Sequence, residues 1–336
     1  MYIKNHEKEG IILSNLKKFV IALLLLVILI PAGAFGYLYF KLDTMYDGST
    51  NSKILNKTNY KEVKGITNIL LVGTDGRTLE ETSRSDSMMI LTIDNKNKSL
   101  KLTSLARDTY VDIPGHGMQK LTHAYAYGGI NLLVETIENN FKLDIQNYAI
   151  VNFFSFMDII HTLGGVVIDV KPGEINELNK YIPECYEFDK NKNKGPMELV
   201  ENSGTQKLNE YQALSYGRIR KNDSALERDK RQRQLIQSMI DGVKNLPITK
   251  YPELVDSILP YIKTNMKPTT ILSLGATVLN IGDLSIKSLE FPMEEYSTGG
   301  IYGKSGWVWR YNADKCLPIL HDFIFENKMY EKPNEQ

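Results

Sequence analysis

Apolar residues recur along this chain with two different periods, and the change from one to the other predicts most of its elements. Ile69 to Val72 is an apolar run that stops at Gly73; too short for a helix, it predicts a buried strand. Ser87 to Asp94 and Ser99 to Leu105 predict two more strands, joined by the hairpin loop Asn95-Lys96-Asn97-Lys98. From His123 to Phe141 the period changes: Leu133, Ile137 and Phe141 recur every four positions and form the buried face of a helix. Tyr148 to Val151 predicts a strand, Phe153 to Leu163 a helix closed by Gly164-Gly165, and Val166 to Val170 a strand. Leu208 to Arg220 is a helix or a helix running into a strand, Ala225 to Asn245 a long helix, and Thr269 to Leu279 another. Leu284 to Phe291 predicts a strand, Trp307 to Trp309 an edge strand, and Asp314 to about Asn327 a terminal helix. This alternation predicts the α/β class, a mixed β-sheet flanked by helices.

Two stretches lack either period. Residues 41–66, polar from Asp43 to Lys64, predict a linker. Lys171 to Gly204, with prolines at 172, 183 and 196, predicts an excursion over the surface. Ahead of the linker, Phe19 to Phe40 runs 22 residues without a charge. At about 1.5 Å per residue it reaches roughly 33 Å, enough for a hydrocarbon core of ~30 Å. Lys4, Lys8, Lys17 and Lys18 precede it, so residues 1–18 form a short cytoplasmic tail by the positive-inside tendency. Ala32-Gly33-Ala34 resembles the cleavage pattern of a signal peptide, but apolar and aromatic residues continue through Phe40 and favour a retained anchor, a single transmembrane helix. Residues 67–328 then form one extracytoplasmic domain at the cell membrane, and 329–336 a flexible tail.

Composition narrows the function. Forty basic residues balance forty acidic ones, and there is no basic recognition helix, which argues against nucleic-acid binding. Cys185 and Cys316 lack metal-ligand spacing; outside the cytoplasm they can form one disulfide, and the sequence does not show whether they meet. No zinc motif, P-loop or dinucleotide fingerprint is present.

Charges cluster at the ends of the predicted strands. Asp75 and Arg77 follow the first, Arg84 and Asp86 enter the second, and Arg107 and Asp108 follow the third. On the long helix, at 100° per residue, Gln232, Leu235, Ile236, Met239 and Val243 all lie within about 80° of Arg228. Arg228 and Gln232 therefore lead the buried stripe, and a buried guanidinium needs an anion. Arg231 lies at the edge of that stripe and Arg233 about 140° away, which reads as a solvated face. Arg218 and Arg220, two apart, share one face of an extended segment. Arginine forks suit phosphate. Asp75 and Asp86 are either salt-bridge partners or ligands of a hard cation such as Mg²⁺ or Mn²⁺.

The blocks LLVGTDGR, SRSDSMMILTID, SLARDTYVDIPG, KLTHAYAYGG, VNFFSFMDIIHTLGGVVIDV and ALSYGRIRKNDSALERDKRQRQLI, in this order from about Asn68 to Val243, resemble the LytR–CpsA–Psr domain. Two departures stand out: Ala106 replaces a proline frequent in relatives, and Ser224 to Glu227 replaces an acidic residue and glycine. The resemblance implies a membrane-anchored bacterial phosphotransferase. Such enzymes move an anionic glycopolymer, wall teichoic acid or capsular polysaccharide, from an undecaprenyl-pyrophosphate carrier to peptidoglycan with Mg²⁺. Its site residues carry over to Asp75, Arg84, Asp86, Arg107, Arg218, Arg220, Arg228 and Gln232. The arginines and Gln232 would hold pyrophosphate, and Asp75 and Asp86 the metal. Asp108 enters as acid/base or as an orienter of Arg107. A polyprenyl tail needs an apolar tunnel, for which Leu132-Leu133-Val134 and Phe153-Phe154 are candidates that ordinary core explains equally well. A polyprenyl-pyrophosphate hydrolase and a non-catalytic envelope regulator are the rival readings.

Overall fold

Strand-forming runs pair into a six-stranded mixed sheet in the computed structural model. The structure describes residues 36–48, 60, 63–74, 84–189, 194–219, 225–259 and 262–333. The strands in chain order are β1 (Ile66–Thr74), β2 (Ser85–Asp94), β3 (Ser99–Leu105), β4 (Tyr110–Ile113), β5 (Gly117–Lys120), β6 (Asn147–Asn152), β7 (Val166–Val170), β8 (Gly204–Leu208), β9 (Lys263–Thr264), β10 (Ile286–Phe291), β11 (Ser297–Ile301) and β12 (Trp307–Tyr311). The helices are α1 (Leu121–Phe141), α2 (Phe153–Thr162), α3 (Ile175–Phe188), α4 (Glu210–Gly217), α5 (Ala225–Asn245), α6 (Tyr251–Ile258), α7 (Pro268–Ile281) and α8 (Ala313–Glu326). The central sheet runs β10-β3-β2-β1-β6-β9, with β1 parallel to β6 and antiparallel to β2.

Alternation along the strands loads both faces of this sheet. Leu70, Val72, Met88 and Ile90 face α1 and α8, where Leu133, Ile137, Phe141, Leu320 and Phe323 are fully or almost fully buried. The every-four spacing of α1 thus packs as expected. α1 also begins earlier and bends at Gly128-Gly129, where Gly129 takes φ 63° and ψ −154°, a conformation that disfavours any residue with a Cβ. On the opposite face Ile69 and Ile93 meet α7 through Leu274 and Val278. A second core gathers α2, β7, β8, α3, α4 and α5 around Met157, Ile168, Leu178, Ile182, Tyr211 and Leu235.

Several expectations change here. The surface excursion contains α3, whose Leu178, Ile182 and Cys185 recur at helical spacing and are buried; lysines, glutamates and an internal Pro183 mask that period in the sequence. β7 pairs with β8 in a two-stranded sheet of its own, not in the central sheet. The expected linker starts as structure: a helix over 36–43 leads to buried Leu42 and Met45, packed against Leu259, Val255 and Ile271. At the other end Tyr330 packs on the first core, and Lys332 pairs with Glu295 at 3.1 Å, so the tail is held as far as it is described. Cys185 and Cys316 are buried free thiols in different cores. Among the described residues no helix is long and apolar enough to cross a membrane; apart from its last residues, 36–40, the predicted anchor lies outside them.

Candidate active site

A β-bulge sets the first carboxylate. Gly73 pairs with Ser87, whereas Thr74 pairs with Ser85, so Asp86 is the extra residue in β2. Bulges of this kind re-aim a side chain. The Asp86 carboxylate accepts a hydrogen bond from Arg107 Nη1 at 2.5 Å. Arg107 itself sits just past β3 in a turn pinned on several sides. The Ala106 N–H donates to the Phe291 carbonyl at 2.8 Å, the Thr122 N–H to the Arg107 carbonyl at 3.0 Å, and the Trp309 N–H to the Asp108 carbonyl at 2.9 Å. Asp108 Oδ1 is 2.8 Å from Lys120 Nζ and Oδ2 is 3.6 Å from Arg107 Nε. Burial disfavours the Arg107 charge, but Asp86 and Asp108 outweigh it and hold its pKa above the usual guanidinium value. The guanidinium therefore stays charged, and Asp108 orients it.

Behind Asp86 lies a cavity of about 250 Å³ between the sheet and α2, α4 and α5. Its walls are apolar: Leu71, Met89 and Val151 from the strands, with Phe156, Leu214, Leu235, Ile236 and Met239 from the helices. Polar groups gather where Asp86, Thr74, Asn152, Arg218, Arg228 and Gln232 line it. Arg228 is only 7 % exposed and leads the buried stripe with Gln232, as the helical wheel predicts. Gly217 allows α4 to approach α5, since a Cβ there would lie 3.2 Å from Leu235 Cδ1.

The other described candidates take different places. Arg218 does not belong to an extended segment: it caps α4 with helical φ/ψ of −98° and −4°. Its guanidinium bonds Glu184 at 3.1 Å and Cys185 Sγ at 3.4 Å, while the residue also lines the cavity. Arg84 is exposed at the start of β2, outside the cavity lining, with its charge close enough to bear on His123. Asp75, Arg77 and Arg220 lie outside the described residues. Arg231 and Arg233 are not on a solvated face. Arg231 is 2 % exposed and bonds Glu174 at 3.2 Å and the Ile219 carbonyl at 3.1 Å; Arg233 bonds Ser104 Oγ at 2.9 Å and pairs with Glu290. α5 is wedged between the sheet and the second core, so it buries two faces rather than one. Leu133 and Val134 belong to the first core and Phe154 packs on the second; none of them lines the cavity.

The sequence reading missed Thr74 and Lys120, which lie near this site, and gave His123 no role. Thr74 Oγ1 and Gln232 Oε1 are buried oxygens that make no hydrogen bond among the described residues. Lys120 holds Asp108. His123 sits in the first turn of α1, its pKa lowered by burial and by Arg84 and Lys120, so it is neutral near pH 7. The one available signal was the Lys-Leu-Thr-His order at the start of α1.

The LytR_cpsA_psr family profile matches residues 35–318. The chain is 32 % identical over 303 residues to the polyisoprenyl-teichoic acid–peptidoglycan teichoic acid transferase TagT of Bacillus subtilis (strain 168), covering 86 % of this chain and 89 % of that one. It is similar to a solved structure of TagT bound to LIIa-WTA, with TM-score 0.63, 26 % identity and coverage of 83 % and 98 %. A structure of TagT with bound octaprenyl pyrophosphate lipid gives TM-score 0.58 and 26 % identity, covering 80 % of this chain and 95 % of that one. With most of its length matched, the chain belongs to the LytR_cpsA_psr family.

Proposed function

We propose that this chain is a membrane-anchored phosphotransferase. It moves an anionic glycopolymer, wall teichoic acid or capsular polysaccharide, from undecaprenyl pyrophosphate to peptidoglycan. The observation that carries the reading is the two-part cavity: an apolar trough with Arg228, Arg218 and Asp86 among its polar lining, Asp86 being paired with Arg107. A polyprenyl pyrophosphate has the same two parts. The relatives support it, since TagT is a teichoic acid transferase and binds octaprenyl pyrophosphate.

In the proposed reaction a hydroxyl oxygen of a peptidoglycan sugar bonds to the glycopolymer-side phosphorus. The bond from that phosphorus to the bridging oxygen breaks, polyprenyl phosphate leaves, and the hydroxyl proton passes to a site aspartate. Arg107, held by Asp86 and Asp108, and the buried Arg228 fix the pyrophosphate and meet charge that grows on its oxygens. Arg218 and Gln232 line the same cavity and add a guanidinium and an amide, and the family resemblance assigns Arg84 and Arg220 to the same pyrophosphate.

The donor set suits a hard divalent cation, Mg²⁺ or Mn²⁺. Asp86, Thr74 Oγ1 and Gln232 Oε1 are oxygens along one cavity, and two of the three make no hydrogen bond among the described residues. No group of three or more His, Cys, Asp or Glu gathers among the described residues; in this reading substrate oxygens complete the shell together with Asp75, the second carboxylate that the family resemblance assigns to the metal. When bound, such an ion offsets phosphate charge.

The test uses the full-length chain in nanodiscs with lipid-linked teichoic acid and peptidoglycan. The expected result is covalent attachment that EDTA abolishes and Mg²⁺ restores. Release of polymer without attachment makes the chain a hydrolase. Complementation that survives Arg107→Ala and Asp75→Ala makes it a non-catalytic envelope protein.

A further inference from the structure

The chain has two tryptophans, and both sit on the same strand, β12. Val308 between them is fully buried, so Trp307 and Trp309 point to the opposite face. Trp307 is 42 % exposed, and its ring lies 5.1 Å from that of Trp309 at 84°. Room for this pair is built into the facing strand: a Cβ on Gly299 would meet the Trp307 ring at 2.6 Å. Indole is the largest apolar side chain, and a fold that needed these two for stability would bury them. Here Trp307 stands open on the outer face of an edge hairpin, with Trp309 half-buried beside it.

That hairpin is joined to the site by backbone. The Trp309 N–H donates to the carbonyl of Asp108, the residue between Arg107 and Thr109, and Thr109 bridges to Trp309. The loop between β11 and β12 reaches the β4–β5 hairpin as well: Ser305 Oγ donates to Gln119 Oε1 at 3.2 Å, and Tyr302 stacks on Tyr110 at 6.0 Å. Asp86–Arg107, Asp108–Lys120 and Trp309–Trp307 thus form one continuous line, from the cavity to an open aromatic surface.

We propose that the Trp307–Trp309 face is the acceptor subsite, binding an amino-sugar glycan strand; this rests on the transferase reading above. A pyranose has one face of C–H groups that stacks on a flat ring and a rim of hydroxyl and amide groups that needs polar partners. The surface supplies both: two indoles, with Gln119 and Ser305 joined in the adjoining loop and Lys120 on the Asp108 to which Trp309 is bonded.

Because all tryptophan emission comes from this pair, binding is read directly. Full-length chain in detergent, titrated with soluble GlcNAc–MurNAc oligosaccharide, should show a saturable change in emission. Trp307→Ala should weaken binding and raise the KM for acceptor about tenfold, as loss of a central aromatic contact does. Trp307→Phe should recover most of it, and affinity for octaprenyl pyrophosphate should stay as in the parent. Emission that ignores the glycan, an unchanged acceptor KM in Trp307→Ala, or an equal response to sugar-free phosphatidylglycerol vesicles would each overturn the proposal. Glycan binding lost in Trp307→Ala, combined with a parent chain that never attaches polymer, sinks the transferase reading and leaves the glycan site standing.

Discussion

At the scale of the residue, two charged groups show how burial and partners assign a role. Arg107 is held between Asp86 and Asp108, and Asp108 by Lys120, so its guanidinium is oriented before any substrate arrives. Arg107→Ala is expected to lower transfer by on the order of 10²–10³-fold, the usual cost of removing one preorganised donor. The far-ultraviolet circular dichroism should stay unchanged, because the side chain is partly exposed and anchors no core. Glu138 is the opposite case. Burial pushes its pKa up to about 8, against the hydrogen bond it accepts from the Ile145 N–H at 2.9 Å. With the folded pKa raised, the stability it lends is complete below the ordinary value of 4.5 and is lost as pH rises through about 8. The loss is on the order of 5 kcal/mol. Glu138→Gln keeps the acceptor and cannot ionise, so its Tm should exceed that of the parent at pH 8 and match it near pH 4.5, by thermal melts across that range.

Elements decide whether a polar stretch is surface or core. α3 carries Leu178, Ile182 and Cys185 into the second core against α4, although its sequence is dominated by Lys, Asn and Glu. Leu178→Ala is expected to cost about 2–5 kcal/mol, the range for a buried leucine cavity, and to lower the urea midpoint. A solvated excursion would show no change. The same packing bears on the site, since Arg218 at the end of α4 touches Glu184 and Cys185 of α3. α5 follows the other rule: its wheel placed Arg228 and Gln232 correctly but missed the burial of Arg231 and Arg233. A single stripe describes a helix with one buried face, and this helix has two.

Across the whole molecule, the cavity exists only because β1, β2 and β6 meet α2, α4 and α5. Ile236→Trp fills its apolar part from α5, about two turns beyond Arg228. Octaprenyl pyrophosphate binding should fall at least about tenfold, with inorganic pyrophosphate binding unchanged, as read by calorimetry. Equal loss for both ligands would show that the trough does not take the tail.

Periodicity in the chain was enough to determine the class of fold, the central strands β1, β2 and β3, the buried faces of α1 and α5, and the burial of Arg228. Each of these follows from local spacing, because a strand or helix faces its core with a fixed repeat. The co-linear blocks determined the family. What the tertiary structure decided is everything that joins distant segments. It sets the bulge that turns Asp86 toward Arg107, the clasp of Lys120 on Asp108, the lining of the cavity and the placing of Trp309 beside Asp108. Those contacts link residues tens to hundreds of positions apart, and no local repeat carries the register in which two remote strands meet.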